Sequence, residues 1–101
     1  MNKKQFEEIT SWQDSIFTTA TSLSCYNHLV EEIKELGEDL GKGADSRNEM
    51  ADCFLLLFGI CNKEGMKYED VVKAIDDKME INRARKWGKV NEQGYVKHIE
   101  D

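Results

Sequence analysis

No proline interrupts this sequence over its 101 residues, and Glu, Lys, Leu and Ala are all frequent. Proline ends or kinks helices more strongly than any other residue, whereas those four residues favour them. The sequence therefore predicts long, continuous helices. At this length we expect a single domain covering residues 1–101. Such a small domain buries only about 60–70% of its unfolded surface, so self-association would add stability.

Apolar residues at helical spacing predict four helices and a tail. The Thr/Ser-rich residues 18–24 supply N-caps for the second helix, and the glycine-rich residues 37–43 end it in a turn. The tail has turn signals at Asn91 and Gly94, which favour a short hairpin or an ordered arm. The predicted helices are Lys3–Phe17, Cys25–Leu40, a third that is capped by Asp45 or Ser46 and closed by Gly65, and a fourth from Tyr68 or Glu69 to Lys86.

Short connections between these helices favour antiparallel neighbours, and hence an all-α four-helix bundle. The third helix is apolar nearly all round from Cys53 to Cys61, so it must be covered on every side. Three other helices cover it poorly, and we predict that a homodimer or homotetramer completes the fold. The cysteines, an odd number with no metal-type spacing, are expected to be reduced core residues.

Charge and hydropathy exclude several classes of function. The net charge is −6 and the pI is near 4.9, with no long basic stripe, so we expect no nucleic-acid polymer as partner. The N-terminus is polar, and the longest apolar run is far too short to span a bilayer. We therefore expect a cytoplasmic protein without a membrane partner. A free anionic nucleotide is still compatible, because a metal and a few local cations can offset the field.

Two pairs of carboxylates stand at the borders of apolar segments. Glu49 and Asp52 lead into the apolar third helix, and Glu32 and Glu35 repeat their three-residue spacing on the second. If the two helices pack antiparallel, the four carboxylates line one pocket. Crowded carboxylates repel unless a cation neutralises them, and hard oxygen ligands select Mg²⁺, Mn²⁺ or Ca²⁺. A solvated acidic face, with acids that suit a helix N-terminus, is the alternative that spacing leaves open.

The fourth helix carries a complementary set of donors. Lys78, Asn82 and Arg85 are spaced four and three apart, so they share one face. A point charge, an amide and a guanidinium fork all suit phosphate oxygens. Ordinary basic residues near a helix C-terminus are the alternative, which explains Asn82 least well.

Three segments in this order resemble a known family. HLVEEIKEL, then NEMADCFLLL, then KMEINRARKWG with its tail, are similar to the MazG-like all-α nucleoside triphosphate pyrophosphohydrolases, and most closely to the small dATP/dGTP pyrophosphohydrolases. The resemblance runs from about Trp12 to His98. It implies Mg²⁺-dependent hydrolysis of a nucleoside triphosphate, with dATP or dGTP as candidates, to the monophosphate and pyrophosphate, with Mn²⁺ as an alternative ion.

The resemblance also implies roles for individual residues. Glu31 matches a leading glutamate that orients or deprotonates water. His28 and Trp12 are candidates to recognise the base, although a helix-end histidine and a core tryptophan are the alternatives, and for Trp12 we favour the core. The metal ligands implied are Glu32, Glu35, Glu49 and Asp52, and the phosphate-binding residues are Lys78, Asn82 and Arg85.

Two other functions compete with this hypothesis. A helical module could keep the bundle and bind a nucleotide or a protein without catalysis. A di-iron carboxylate bundle wants Glu-x-x-His on two helices, but neither His28 nor His98 stands three residues after a glutamate, so we set it aside.

Overall fold

The computed structural model describes residues 1–99 and confirms four helices followed by a short hairpin. The chain divides into two compact units, Met1–Val71 and the part that begins at Val72. Across the described residues, no helix is both long enough and apolar enough to cross a membrane. The elements are α1 (Lys3–Ile16), α2 (Ser22–Lys42), α3 (Arg47–Lys63), α4 (Tyr68–Ala84), β1 (Trp87–Val90) and β2 (Val96–His98).

The second helix is capped within the predicted Thr/Ser-rich segment, but it begins three residues earlier and ends two residues later than predicted. Thr21 and Ser24 form a reciprocal capping box at the start of α2, which satisfies two backbone N–H groups. The helix then continues through Gly37 and Gly41 instead of stopping in a turn. Only at Gly43 does the backbone become left-handed, with φ 69°, and this glycine ends the helix.

The third helix has the predicted ends. The side chain of Asp45 accepts a hydrogen bond of 3.1 Å from the Arg47 N–H, whereas the N-cap residue Ser46 makes no side-chain cap bond. Gly65, with φ 80°, follows the last turn and lets the chain reverse toward α4.

The core of the first unit lies where α1 meets α3 and the start of α4. Among the described residues, Phe6 and Val71 are the only large apolar side chains that are buried. The Phe6 ring packs edge-on against Phe58, with centroids 5.8 Å apart, and lies 5.9 Å from the Tyr68 ring. A small core of this kind supplies limited stability.

Several residues predicted to be buried are exposed. Trp12 is 57% exposed, so the prediction of a core tryptophan is wrong. On α4, helical spacing predicts a buried side of Val71, Val72, Ile75 and Met79, but only Val71 is buried and the other three are exposed. The three cysteines are free and half-buried rather than core residues. Apolar periodicity gives the face of a helix but does not show whether one chain has enough layers to cover it.

The second unit ends in an antiparallel hairpin, which confirms the predicted turn. β1 pairs with β2 from Trp87 opposite His98 to Val90 opposite Val96, with an irregularity between. The Asn91 side chain accepts hydrogen bonds from two backbone N–H groups inside the turn. The Trp87 indole N–H donates to the Asn82 carbonyl at 2.9 Å, which ties the hairpin to α4.

Candidate active site

The α2 and α3 helices form a tight helical hairpin, and its shape decides which acids meet. A connection of four residues, 43–46, joins them, and the Ala44 N–H donates to the Asp39 carbonyl. At 3.6 residues per turn, the four predicted ligands fall on one side of this hairpin. We call it the acidic side, and its residues are Glu32, Glu35, Glu49 and Asp52.

Glu32 lies against α3 rather than in solvent. Its side chain is only 17% exposed, and its Oε1 lies 3.2 Å from Nε2 of His28, one turn earlier on α2. Glu35, a turn later, is exposed. The charge of Glu32 is the largest cause of a raised pKa at the Glu35 carboxyl, with partial burial and the charges of Glu31 and Glu38 adding to it. Glu32 and Glu35 are therefore close enough to repel.

The Cys53 thiol shows that the acids of the two helices share a neighbourhood. Burial raises its pKa most, and the negative charges of Glu32 and Asp52 raise it further. Both charges therefore act on this one thiol. Convergence of all four acids on a metal stays a prediction.

Glu49 provides the most direct observation that fits a cation. Its Oε2 is shielded from solvent and has no hydrogen-bond partner. An ionised carboxylate oxygen without a donor is costly to bury, and a divalent cation would compensate it. Within residues 1–99, no three His, Cys, Asp or Glu side chains converge on one point that could hold a metal. The donor set and the unpaired oxygen fit a hard cation, while the other side chains are not gathered around it.

Glu31 lies apart from this group. Its side chain is 69% exposed and pairs with Lys34 on the same helix, with Oε1 and Nζ 3.4 Å apart. The structure shows no contact that supports a catalytic role for Glu31, and that role stays a prediction.

A cavity of about 480 Å³ opens in the first unit, at the end of α1. His28 belongs to its wall and also to the acidic side through its contact with Glu32, so the cavity adjoins the carboxylates. Its other lining residues come from the end of α1, the α1–α2 connection, the start of α2 and the second half of α3.

Four polar residues of this wall were not predicted as site residues from the sequence. The Asp14 carboxylate accepts hydrogen bonds from the Asn62 amide and the Lys63 ammonium at 3.0–3.1 Å, and these two bonds lower the pKa of Asp14. Gln13 also lines the cavity and donates from Nε2 to the Leu55 carbonyl at 2.9 Å. Its place among apolar residues of α1 was the one available signal.

Trp12 lies outside that cavity. It lines a separate depression of about 270 Å³ with Glu8, Ile9, Gln13 and Leu55, and its ring packs edge-on against Phe17. Its role in recognising a base stays a prediction.

The predicted phosphate donors belong to the second unit. Lys78 and Asn82 lie within α4, and Arg85 follows the last helical residue while its N–H still donates to the Ile81 carbonyl at 3.1 Å. Asn82 and Arg85 are half-buried and Lys78 is exposed. Their contact with phosphate stays a prediction.

Comparison with known proteins identifies the class of protein that this fold defines. A solved structure of the cyanophage S-2L MazG-like pyrophosphohydrolase, bound to dGDP and three catalytic Mn²⁺ ions per active site, matches with a TM-score of 0.78 and 28% sequence identity over 99% of each chain. The fold is therefore MazG-like. A search of curated proteins found no match.

The family can be stated more narrowly. The dATP/dGTP pyrophosphohydrolase family model matches residues 5–101, and the chain belongs to this family. It is accordingly a nucleotide pyrophosphohydrolase, a hydrolase that acts on a phosphoric anhydride. This favours the enzyme hypothesis over a noncatalytic binding module.

Proposed function

We propose that this enzyme hydrolyses a deoxynucleoside triphosphate, dATP or dGTP, to the monophosphate and pyrophosphate in a Mg²⁺-dependent reaction. The single observation that carries the metal dependence is the shielded, partnerless Oε2 of Glu49 on the acidic side. The family supports the reaction, and the dGDP and Mn²⁺ in the cyanophage structure support a purine nucleotide and a divalent ion.

The acidic side would hold the metal through Glu32, Glu35, Glu49 and Asp52, with Mn²⁺ as the alternative to Mg²⁺. A bound cation would neutralise phosphate oxygens and acidify a water. Glu31, at the flank of the site, would orient the water that attacks the α-phosphorus. Attack at the α-phosphorus releases pyrophosphate without a covalent enzyme intermediate, so positioning and charge stabilisation carry the catalysis.

The cavity beside the acidic side suits the nucleoside. A ligand pocket typically measures about 300–1,000 Å³, and this one, at about 480 Å³, falls within that range. His28, which contacts both the cavity and Glu32, is the candidate to recognise the base there. Trp12 remains a second candidate. Lys78, Asn82 and Arg85 bring an ammonium, an amide and a guanidinium, the donors that phosphate oxygens accept best.

We also propose that the enzyme is a homo-oligomer, a dimer or a tetramer. The support is the small core of the single chain, in which Phe6 and Val71 are the only large apolar side chains buried among residues 1–99. A chain of this size that leaves most of its apolar stripes exposed gains stability by covering them with another copy.

A substrate panel tests the proposal. Each of the four deoxynucleoside triphosphates is incubated with enzyme and Mg²⁺, Mn²⁺ or EDTA, and pyrophosphate and inorganic phosphate are measured separately. We expect monophosphate and pyrophosphate in equal amounts, faster with purines, and no turnover in EDTA. Release of inorganic phosphate with a diphosphate product would contradict attack at the α-phosphorus. Full activity in EDTA would contradict the metal assignment.

A further inference from the structure

The wall of the cavity in the first unit contains a group of three polar side chains that contact one another. We call it the polar cluster, and its residues are Asp14 at the end of α1 and Asn62 and Lys63 at the end of α3. Among the described residues that line the cavity, Asp14 is the only carboxylate and Lys63 the only lysine. The Asp14 side chain is 50% exposed, so a ligand in the cavity can reach it.

Hydrogen bonds within the polar cluster hold a carboxylate and an ammonium side by side. Nζ of Lys63 donates to Oδ1 of Asp14 at 3.1 Å, and Nδ2 of Asn62 lies 3.0 Å from each carboxylate oxygen. The bonds from Asn62 and Lys63 lower the pKa of Asp14, so this carboxylate is ionised near neutral pH and only accepts hydrogen bonds. A carboxylate has about four acceptor positions, and these three bonds leave one of them open. Displacement of the single Asn62 nitrogen by a ligand would open two more.

A carboxylate beside an ammonium complements the pairing edge of guanine. That edge presents two neighbouring N–H donors, at N2 and N1, followed by the O6 acceptor. The carboxylate can accept from both donors while the ammonium donates to O6. Adenine presents a donor at N6 but an acceptor at N1, so one carboxylate oxygen would face a lone pair and stay without a donor, which is costly. The polar cluster therefore favours guanine over adenine.

The position of the polar cluster suits the base of a nucleotide whose phosphates lie at the acidic side. Asn62 stands ten residues after Asp52 on α3, which is about 15 Å along the helix. The cavity also adjoins the acidic side through His28, which contacts Glu32. Phe17, another residue of the wall, is 50% exposed and offers a ring on which a base can stack. Because stacking holds any base, the choice between bases falls to the polar cluster.

We propose that Asp14 is a specificity-determining residue, which accepts hydrogen bonds from N1 and N2 of guanine while Lys63 donates to O6, so that the enzyme prefers dGTP to dATP. This inference rests on the proposed function, which leaves the choice between the two purines open. The competing role for Asp14 is structural, with its bonds to Asn62 and Lys63 only tying α1 to α3. A structural role treats dGTP and dATP alike, so the ratio of their kcat/KM values separates the two.

Three triphosphates test the selection in the unchanged enzyme. Pyrophosphate release with Mg²⁺ gives kcat/KM for dGTP, for dATP and for deoxyinosine triphosphate, dITP, which keeps N1–H and O6 but lacks the amine at N2. We expect dGTP to exceed dATP by a factor of about ten or more, with dITP between them, because each lost bond to a charged group lowers the rate. Equal values for dGTP and dATP overturn the selection while leaving the proposed reaction intact.

Asp14→Asn tests the residue. The amide offers one acceptor and one donor, the pair that complements N6 and N1 of adenine, so the ratio of dGTP to dATP kcat/KM should fall about tenfold or more with dATP turnover retained. The matched control is Glu69→Gln, which breaks an ion pair of 2.7 Å between α1 and α4, to Lys3, and is not part of the cavity wall. Its ratio should equal that of the unchanged enzyme. If Asp14→Asn also keeps that ratio, Asp14 is only structural and the proposal is wrong.

Lys63→Met and a binding measurement decide the case if Asp14→Asn does not fold. Loss of the ammonium should lower kcat/KM for dGTP and dITP by the same factor, since both carry O6, and a change confined to one of them contradicts the contact with O6. Calorimetry with dGMP and dAMP in Mg²⁺ measures the selection of the unchanged protein without turnover. We expect dGMP to bind about tenfold tighter or more. Equal affinities overturn the selection, whereas selective binding by a protein that hydrolyses neither triphosphate would support it and contradict the proposed function instead.

Discussion

The two sides of the α2–α3 hairpin differ in the chemistry of their exposed residues, and therefore in the kind of ligand or surface that would stabilise them. The acidic side carries four carboxylates and shields an oxygen of Glu49 that has no hydrogen-bond donor, so it suits a cation. The other side, which we call the apolar side, leaves large apolar residues exposed: Tyr26, Ile33 and Leu40 on α2, and Met50, Phe54 and Leu57 on α3. One pair of helices thus presents two surfaces. The acidic one would be stabilised by a cation, and the apolar one by contact with another apolar surface.

The largest effect is expected on the acidic side. Glu49→Gln keeps the size of the side chain and removes the charge that a cation needs. We expect kcat/KM for the preferred triphosphate to fall by at least a factor of about 100, since even the outer partners of metal ligands cost 10–100-fold. Pyrophosphate release at saturating Mg²⁺ measures this loss, with helical content checked by circular dichroism.

Glu92→Gln is the matched control for that experiment. Glu92 is an exposed glutamate outside α2 and α3, and its change should leave turnover within about twofold, as expected for an exposed surface substitution. If Glu49→Gln keeps the activity of Glu92→Gln, the acidic side is a solvated face and not a metal site.

The next effect concerns the Gln13 amide, one of the contacts that hold α1 to α3. Gln13 donates to the Leu55 carbonyl, and its Oε1 lies against Gly59, where an added Cβ would stand only 3.3 Å away. Gln13→Ala should lower the free energy of unfolding by about 1–2 kcal/mol, because the bond and its packing are lost. Urea denaturation measures the change.

Gly59→Ala sharpens this result through a double-mutant cycle. Alone, the added methyl group crowds Gln13 and should be neutral or destabilising. In the Gln13→Ala background the space is free, and alanine should stabilise α3 by up to about 1 kcal/mol relative to glycine. The same effect of Gly59→Ala in both backgrounds would show that the amide is not anchored there.

Much of the acidic side was predictable from sequence, and much of its surroundings was not. The spacing of Glu32, Glu35, Glu49 and Asp52 fixes them to one face of each helix as soon as the helices are recognised. The Gln13 amide was not predictable, because its contact with Leu55 depends on how α1 crosses α3. Periodicity likewise gave the apolar stripes but not their exposure, since burial depends on the number of layers a chain can build.

A smaller effect is expected at the edge of the acidic side. Glu31→Gln should lower kcat about tenfold, as for an outer residue that orients a water, and leave KM nearly unchanged. Lys34→Ala frees Glu31 from its surface ion pair and should not reduce turnover. If Glu31→Gln keeps full activity, Glu31 is only one half of that ion pair, and the acidic side ends at Glu32.

The smallest effect is a pH dependence of stability that should differ between the protein in EDTA and the protein with bound Mg²⁺. The pKa of Glu35 is raised above 4.5, chiefly by the charge of Glu32, so the folded protein binds more protons than the unfolded chain in the window above that value. The stability that this protonation contributes is fully present below the window and is lost as the pH rises through it. In EDTA, the urea midpoint of the unchanged protein minus that of Glu35→Gln should therefore fall as the pH rises above 4.5. The same difference measured with Glu8→Gln, an exposed glutamate of α1, should not change with pH.

With Mg²⁺ the trend should reverse, because a cation binds the deprotonated carboxylates and therefore stabilises the folded protein more at high pH. A difference that rises with pH in EDTA would mean that the charge of Glu35 is already compensated in the metal-free protein, and the acidic side would then need no cation.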